Sequence, residues 1–231
     1  MRIFKEIVIA VIIAAAVGAG ITVCASETDS ILDKLRGDDW QVRILNKAAL
    51  EKLAGRQSTE ALINLIVNRG LNWRIQIRGI QVLSRIHTPR VKDVLVQLFS
   101  DPFFHRECPA VKSSLAVALG DFEGPRVVGA LIGSLDDPEL LVREASIVSL
   151  GRVGDASAVP YLIRQLKDGS FTIKSSAIRS LALIKDAGAV PSLRDVADHD
   201  RDPLLREEAL WALSMIRKKD NSRPYHLQTA R

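Results

Sequence analysis

The sequence predicts an all-α solenoid of about six stacked helix pairs. The first observation behind this is a leucine that returns about every 31 residues. The anchors are Leu53, Leu83, Leu119, Leu150, Leu181 and Leu213, spaced 30, 36, 31, 31 and 32. Periods of 20 to 50 residues mark units that bury their apolar faces only by stacking on neighbours. The second is the constant setting of each anchor. Four positions earlier stand Ala49, Gly79, Leu115, Ser146, Ala177 and Ala209, small in five of the six, and seven positions earlier four copies carry Lys112, Arg143, Lys174 and Arg206. The third is composition. With 47% hydrophobic but only 5% aromatic residues, the chain has the aliphatic economy of close-packed helices, and no run of alternating β-branched residues competes as a strand.

The elements follow in order. Arg2 and Lys5 precede Ile7–Val23, 17 residues without a charge, so residues 1–25 read as a signal peptide or membrane anchor. Val23 and Ala25 suit cleavage after Ala25. Cys24 is a candidate for lipidation, although Val23 is a poor residue to precede a lipidated cysteine. All three readings place the repeats outside the cytoplasm, because the cations stay inside. The repeat domain, 26–217, opens with helix pairs at 39–54 with 58–69, 71–86 with 88–100, and 107–120 with 124–135. The run from Leu140 to Leu150 is ended by Gly151 and Gly154. Asp155 then caps a second helix to Leu166, with Pro160 early, where a missing N–H costs least. The next unit repeats this as 173–184, the turn Asp186–Pro191 and a helix to about 197, and a last helix spans 203–217. Residues 218–231 form a basic tail with no apolar period, for which disorder is the default.

One stretch carries a resemblance. Val142-Arg143-Glu144-Ala145, Leu150-Gly151-Arg152-Val153-Gly154-Asp155, Ala158-Val159-Pro160, Leu162 and Leu166 resemble the short bacterial HEAT-like repeat, a kind also found in phycobilin lyase subunits. The copies at 173–198 and 205–216 lack the glycine after the anchor, and those at 111–135 and 75–100 are weaker; together they span roughly 39–217. The resemblance implies a right-handed α-solenoid whose second helices line the concave side. Polar residues there are therefore candidate partner contacts: Asn64, Asn68, Lys92, Gln97, Arg126, Tyr161, Arg164, Gln165 and Arg194. Tyr161, Arg164 and Arg194 lead, because Tyr and Arg are over-represented among binding hot spots. A second candidate is the insertion Asp101–Pro109, whose Phe103 and Phe104 are either an exposed anchor for a partner or an inward plug for a packing defect.

Charge and motifs narrow the function. The net charge is +5, but residues 1–25 hold +1 and 217–231 hold +4, so 26–216 balance to zero. A solenoid gripping nucleic acid should carry its excess along the binding face, so no nucleic-acid partner is expected. His87, His105, His199 and His226 are dispersed and lack the paired His-Glu motifs of HEAT-repeat hydroxylases. No catalytic motif, cofactor or metal site is expected, and Cys108 reads as an ordinary buried or half-buried thiol. Trp40, Trp73 and Trp211 read as packing between units or at an end. The expected function is a non-catalytic scaffold or adaptor, exported or membrane-associated through residues 7–23, that binds a protein or peptide partner. The alternatives are a bilin-lyase-like enzyme or subunit, implied by repeat resemblance, and a HEAT-like glycosylase acting on nucleic acid.

Overall fold

Ten α-helices, and no strand among the described residues, make up the computed structural model, which describes residues 56–67, 72–102 and 108–221. They are α1 (Arg56–Val67), α2 (Trp73–Leu83), α3 (Pro89–Phe99), α4 (Pro109–Leu119), α5 (Pro125–Ile132), α6 (Leu140–Val153), α7 (Val159–Gln165), α8 (Phe171–Ile184), α9 (Val190–His199) and α10 (Pro203–Asn221). Short 3-10 turns at Ala156–Ala158 and Ala187–Ala189 lead into α7 and α9. The segment 1–25 with Cys24, the expected helix 39–54 with Trp40 and Leu53, and Asn68, Phe103 and Phe104 lie outside the described residues, as does the end of the tail. Among the described residues no helix is long and apolar enough to cross a membrane; residues 7–23 are not among them.

The even-numbered helices are the first members of the pairs and stack in one layer, α2 on α4 on α6 on α8 on α10. The odd-numbered helices form the second layer and wedge between them. The anchors lie where the layers meet: Leu83, Leu119, Leu150 and Leu181 are completely buried. Leu213 is only half-buried, since α10 has no later helix stacked on it among the described residues. The residue four positions earlier sits one turn away on the same face, and Gly79, Leu115, Ser146, Ala177 and Ala209 are all buried.

Local chemistry sets the helix limits. Asn72 Oδ1 accepts the Arg74 N–H at 2.9 Å and Thr88 Oγ1 that of Val91 at 3.3 Å, satisfying first-turn donors. Asp155 and Asp186 do the same for Ser157 and Gly188, but in the 3-10 turns, so they cap α7 and α9 one step removed. Gly154 ends α6 with φ +75°, and Lys185 must adopt the same left-handed conformation, φ 56°, to end α8. Gly151 does not end α6, contrary to expectation. It lies inside the helix, where an added Cβ would stand 2.7 Å from Cα of Ser180 on α8. Gly120 faces Ser149 of α6 in the same way, at 3.1 Å from its Cα. The glycine after the anchor therefore lets successive first helices touch backbone to backbone.

The cations seven positions before the anchors also have a structural task. Lys112, almost wholly buried, is paired with Asp137 in the turn between α5 and α6, and Arg143 Nη1 donates to the Asp137 carbonyl at 2.8 Å. Two units later, Lys174 Nζ meets Asp200 Oδ2 at 2.8 Å, and Arg206 Nη1 donates to the Asp200 carbonyl at 2.8 Å. Each of these turns is clamped by a lysine from the preceding first helix and an arginine from the following one.

Candidate functional site

The second helices α3, α5, α7 and α9 share a register set by their early prolines, Pro89, Pro125, Pro160 and Pro191. Two positions after each proline an apolar residue is fully buried: Val91, Val127, Leu162 and Leu193. That inward position holds the intervening faces outward and fixes where each polar candidate stands.

In the first half of this layer the outward cations are occupied. Arg90 of α3 holds Glu60 of α1, with both Nε and Nη2 on Oε1, at 3.0 and 2.9 Å. One repeat later, Arg126 Nη1 of α5 meets Asp93 Oδ1 of α3 at 2.7 Å. The rule is simple: the residue after the proline reaches back to an acid four positions after the previous helix's start. Lys92 reaches toward the Glu123 carbonyl at 3.4 Å, spanning to the turn before α5. Arg126 and Lys92 thus join repeat to repeat.

Beyond α5 the ladder stops. Tyr161 takes the cation's place on α7 and Gly129 the acid's place on α5. An added Cβ on Gly129 would meet nothing within 4 Å, so the chain leaves open space there. Arg164 occupies the acid's position on α7 and lies with its guanidinium 4.8 Å from the Tyr161 ring centroid, a cation–π geometry. On α9 the acid's position is held by Asp195, in an exposed 3.0 Å contact with His199, and Arg194, also exposed, stands one position before it. The structure therefore brings Tyr161, Arg164 and Arg194 onto neighbouring helices of one layer, with no carboxylate from the adjoining repeat upon them.

The other candidates separate. Asn64 and Gln97 are exposed, while Gln165 is buried and is withdrawn as a surface contact. Its position falls one residue from Leu166 on the packed side of α7. Trp73 and Trp211 do not pack between units either: they are 44% and 46% exposed, with the Arg74 guanidinium 5.0 Å from the Trp73 ring centroid. Cys108 is half-buried against the core, as expected. Among the described residues, no three His, Cys, Asp or Glu side chains are grouped so as to hold a metal ion.

The HEAT repeats family model matches residues 102–176 and 162–225. The chain belongs to the HEAT-repeat family. No curated protein matches it. Among solved structures it is similar to an engineered protein at 19% identity, covering 83% of this chain and 97% of that one with a TM-score of 0.55. It is also similar to the complex of CpcE and CpcF of phycocyanin lyase from a Nostoc species, at 21% identity over 71% of this chain and 66% of that one, TM-score 0.59. A designed armadillo repeat protein in complex with the peptide (KR)4 matches at 16% identity over 81% of this chain and 98% of that one, TM-score 0.54. At these identities the likeness is one of fold.

Proposed function

We propose that this HEAT-repeat chain is a non-catalytic adaptor that binds a protein or peptide segment across α7 and α9, on the side the family makes concave. The observation that carries the reading is the interruption of the inter-repeat ion-pair ladder after α5. It leaves Arg164 available to a carboxylate of the partner and Tyr161 at a ladder position with no acid at Gly129 to match it, while Arg194 stands exposed on the next helix of the layer. Tyr offers a large contact area at little conformational cost, and both Tyr and Arg are enriched among binding hot spots. The apolar segment 7–23 delivers this surface outside the cytoplasm or holds it at a membrane.

A photo-crosslinking residue placed at 161 in cells tests the surface directly, with one at exposed Val148 in the other layer as the reference. Adducts specific to 161, lost in the Arg164→Glu, Arg194→Glu double variant with helicity retained, are the expected result. Equal adducts at 148, or adducts undiminished in the double variant, would remove the assignment. Fractionation with intact-mass measurement tests the location: export predicts a chain starting at Ser26 or a lipid on Cys24, and anchoring an unprocessed chain in the membrane. An unprocessed chain soluble in the cytoplasm refutes both.

A further inference from the structure

Among the described residues, the stacking face of the first-helix layer ends without a polar cap. Three positions before each anchor, Ile80, Ala116, Ile147 and Ile178 are buried, and one position after it Ser84, Gly120, Gly151 and Ala182 are buried. These two positions receive the next first helix. On α10 the same two are Leu210 and Ser214, and both are exposed, Leu210 to 58%. Repeat arrays ordinarily close with a polar outer face. Here the last described helix keeps the large-apolar and small pair that accepts a neighbour on α2, α6 and α8, with Trp211 at its edge. Ser214 Oγ already donates to the Trp211 carbonyl at 2.7 Å, so covering it strands no hydroxyl proton.

We infer that this face is the seam of a homodimer, in which α10 of one copy packs antiparallel on α10 of a second. The stripe Glu207, Leu210, Ser214 and Arg217 is exposed throughout and spaced 3, 4 and 3 residues, the interval of a two-helix seam. It is also complementary to its own reverse. A two-fold axis at Ala212 sets Glu207 against the copy's Arg217 and Leu210 against the copy's Ser214, on both sides at once. The large side chain thus meets the small one, and two acid–base pairs flank the contact. A parallel two-fold would face Glu207 with Glu207 and Arg217 with Arg217, so charge selects the antiparallel arrangement. The isologous contact also closes the assembly at two copies. With one helix contributed by each copy, the contact falls in the class of small, transient interfaces, and the dimer forms at high local concentration. This goes beyond the partner site on α7 and α9, which lies in the other layer.

Sedimentation equilibrium of the intact chain in a density-matched mild detergent, over a wide concentration range, tests the inference. The mass is expected to rise from 25.4 kDa toward twice that value. Leu210→Lys should weaken association at least about ten-fold, a Leu-to-charge change at an interface centre. Glu207→Arg and Arg217→Glu should each weaken it, and the two together should restore it. Circular dichroism on every variant confirms retained helicity. A monomer at all concentrations overturns the inference, as does association indifferent to Leu210→Lys, which includes association through residues 7–23. A combined charge swap no better than the single ones overturns the antiparallel register. A ladder of higher oligomers would mean head-to-tail stacking, and association seen only after removal of residues 222–231 would mean the chain's own tail covers the face. Both also overturn it.

Discussion

Replacing Gly151 with alanine should destabilise the protein, whereas the same change at Gly129 should stabilise it. Gly151 lies within α6, and its added Cβ would fall 2.7 Å from Cα, Cβ and Oγ of Ser180. Carbon atoms rest about 3.5–4.0 Å apart, so α6 and α8 must part by about 1 Å. Rotating Ser180 relieves only its hydroxyl, because its Cα is backbone. Inserting a methyl into such a contact costs about 1–3 kcal/mol, against a helix-propensity gain of about 1 kcal/mol for Gly→Ala. At Gly129 nothing lies within 4 Å, so only the gain of about 1 kcal/mol remains. The gain is common to both variants, so they should differ by the insertion cost, roughly 1–3 kcal/mol, or about 2–12 °C in Tm for a chain of this size. Gly120→Ala should fall between them, since its nearest backbone atom, Cα of Ser149, is at 3.1 Å. Thermal unfolding followed by circular dichroism reads the order. A Gly151→Ala variant as stable as Gly129→Ala would refute the claim that the first helices are held at backbone contact.

Further outcomes follow from the ion pairs and caps. Lys112→Met takes the counter-charge from the nearly buried Asp137 carboxylate and should cost about 3–5 kcal/mol, whereas Arg126→Met breaks an exposed pair and should cost less than about 1 kcal/mol; equal losses in urea titrations would contradict both assignments. The hydrogen bond from Lys174 holds the Asp200 carboxyl below its ordinary value, helped by the Asp202 N–H and by the charges of Lys174 and Arg206, while burial opposes them. A depressed carboxylate stabilises above the unfolded value of about 3.9 and loses that contribution as pH falls through the folded one. Unfolding below about pH 4 should therefore be less steep for Asp200→Asn than for the natural chain, and identical acid limbs would count against the clamp. Lys185→Gly places the residue suited to φ 56° at the end of α8 and should stabilise by about 1 kcal/mol, read as a raised Tm; a lowered one would show that the lysine's cap is unstrained.

Much of this architecture is legible in the sequence because burial in a repeat protein is periodic. The anchors Leu83, Leu119, Leu150 and Leu181, the small residues preceding them and the early prolines all recur at the unit length, and each recurs for one packing reason. Contacts between elements of one unit and the next are harder to read. Arg126 looks like any outward cation until α3 and α5 are set side by side, which brings Asp93, 33 positions away, against it. Lys112 and Lys174 look like solvated helix charges until the turns holding Asp137 and Asp200 fold back over them. Gln165 is polar yet faces inward, since it stands three positions after fully buried Leu162 on the packed face of α7. The exposure of Trp73 and Trp211 was equally hidden: both sit near helix anchors or ends, where sequence alone favours burial. The leading candidates Tyr161, Arg164 and Arg194 were legible as residues, but the reason they stand apart, a missing acid at Gly129 and a missing cation at 161, is a property of neighbouring helices.

The clamped turns alternate. Asp137 and Asp200 each receive a lysine and an arginine, and they stand 63 positions apart. The turn midway between them, Asp168–Gly169–Ser170, closes only on itself, with Asp168 Oδ1 accepting the Ser170 N–H at 2.7 Å. Seen as a genetic object, then, the module here is a double repeat with its suture at Gly169. A duplication, deletion or inserted domain entering at that suture would cut neither clamp, whereas one entering at the equivalent point a unit away, after Asp137 or Asp200, would part the clamping arginine from the aspartate carbonyl it holds.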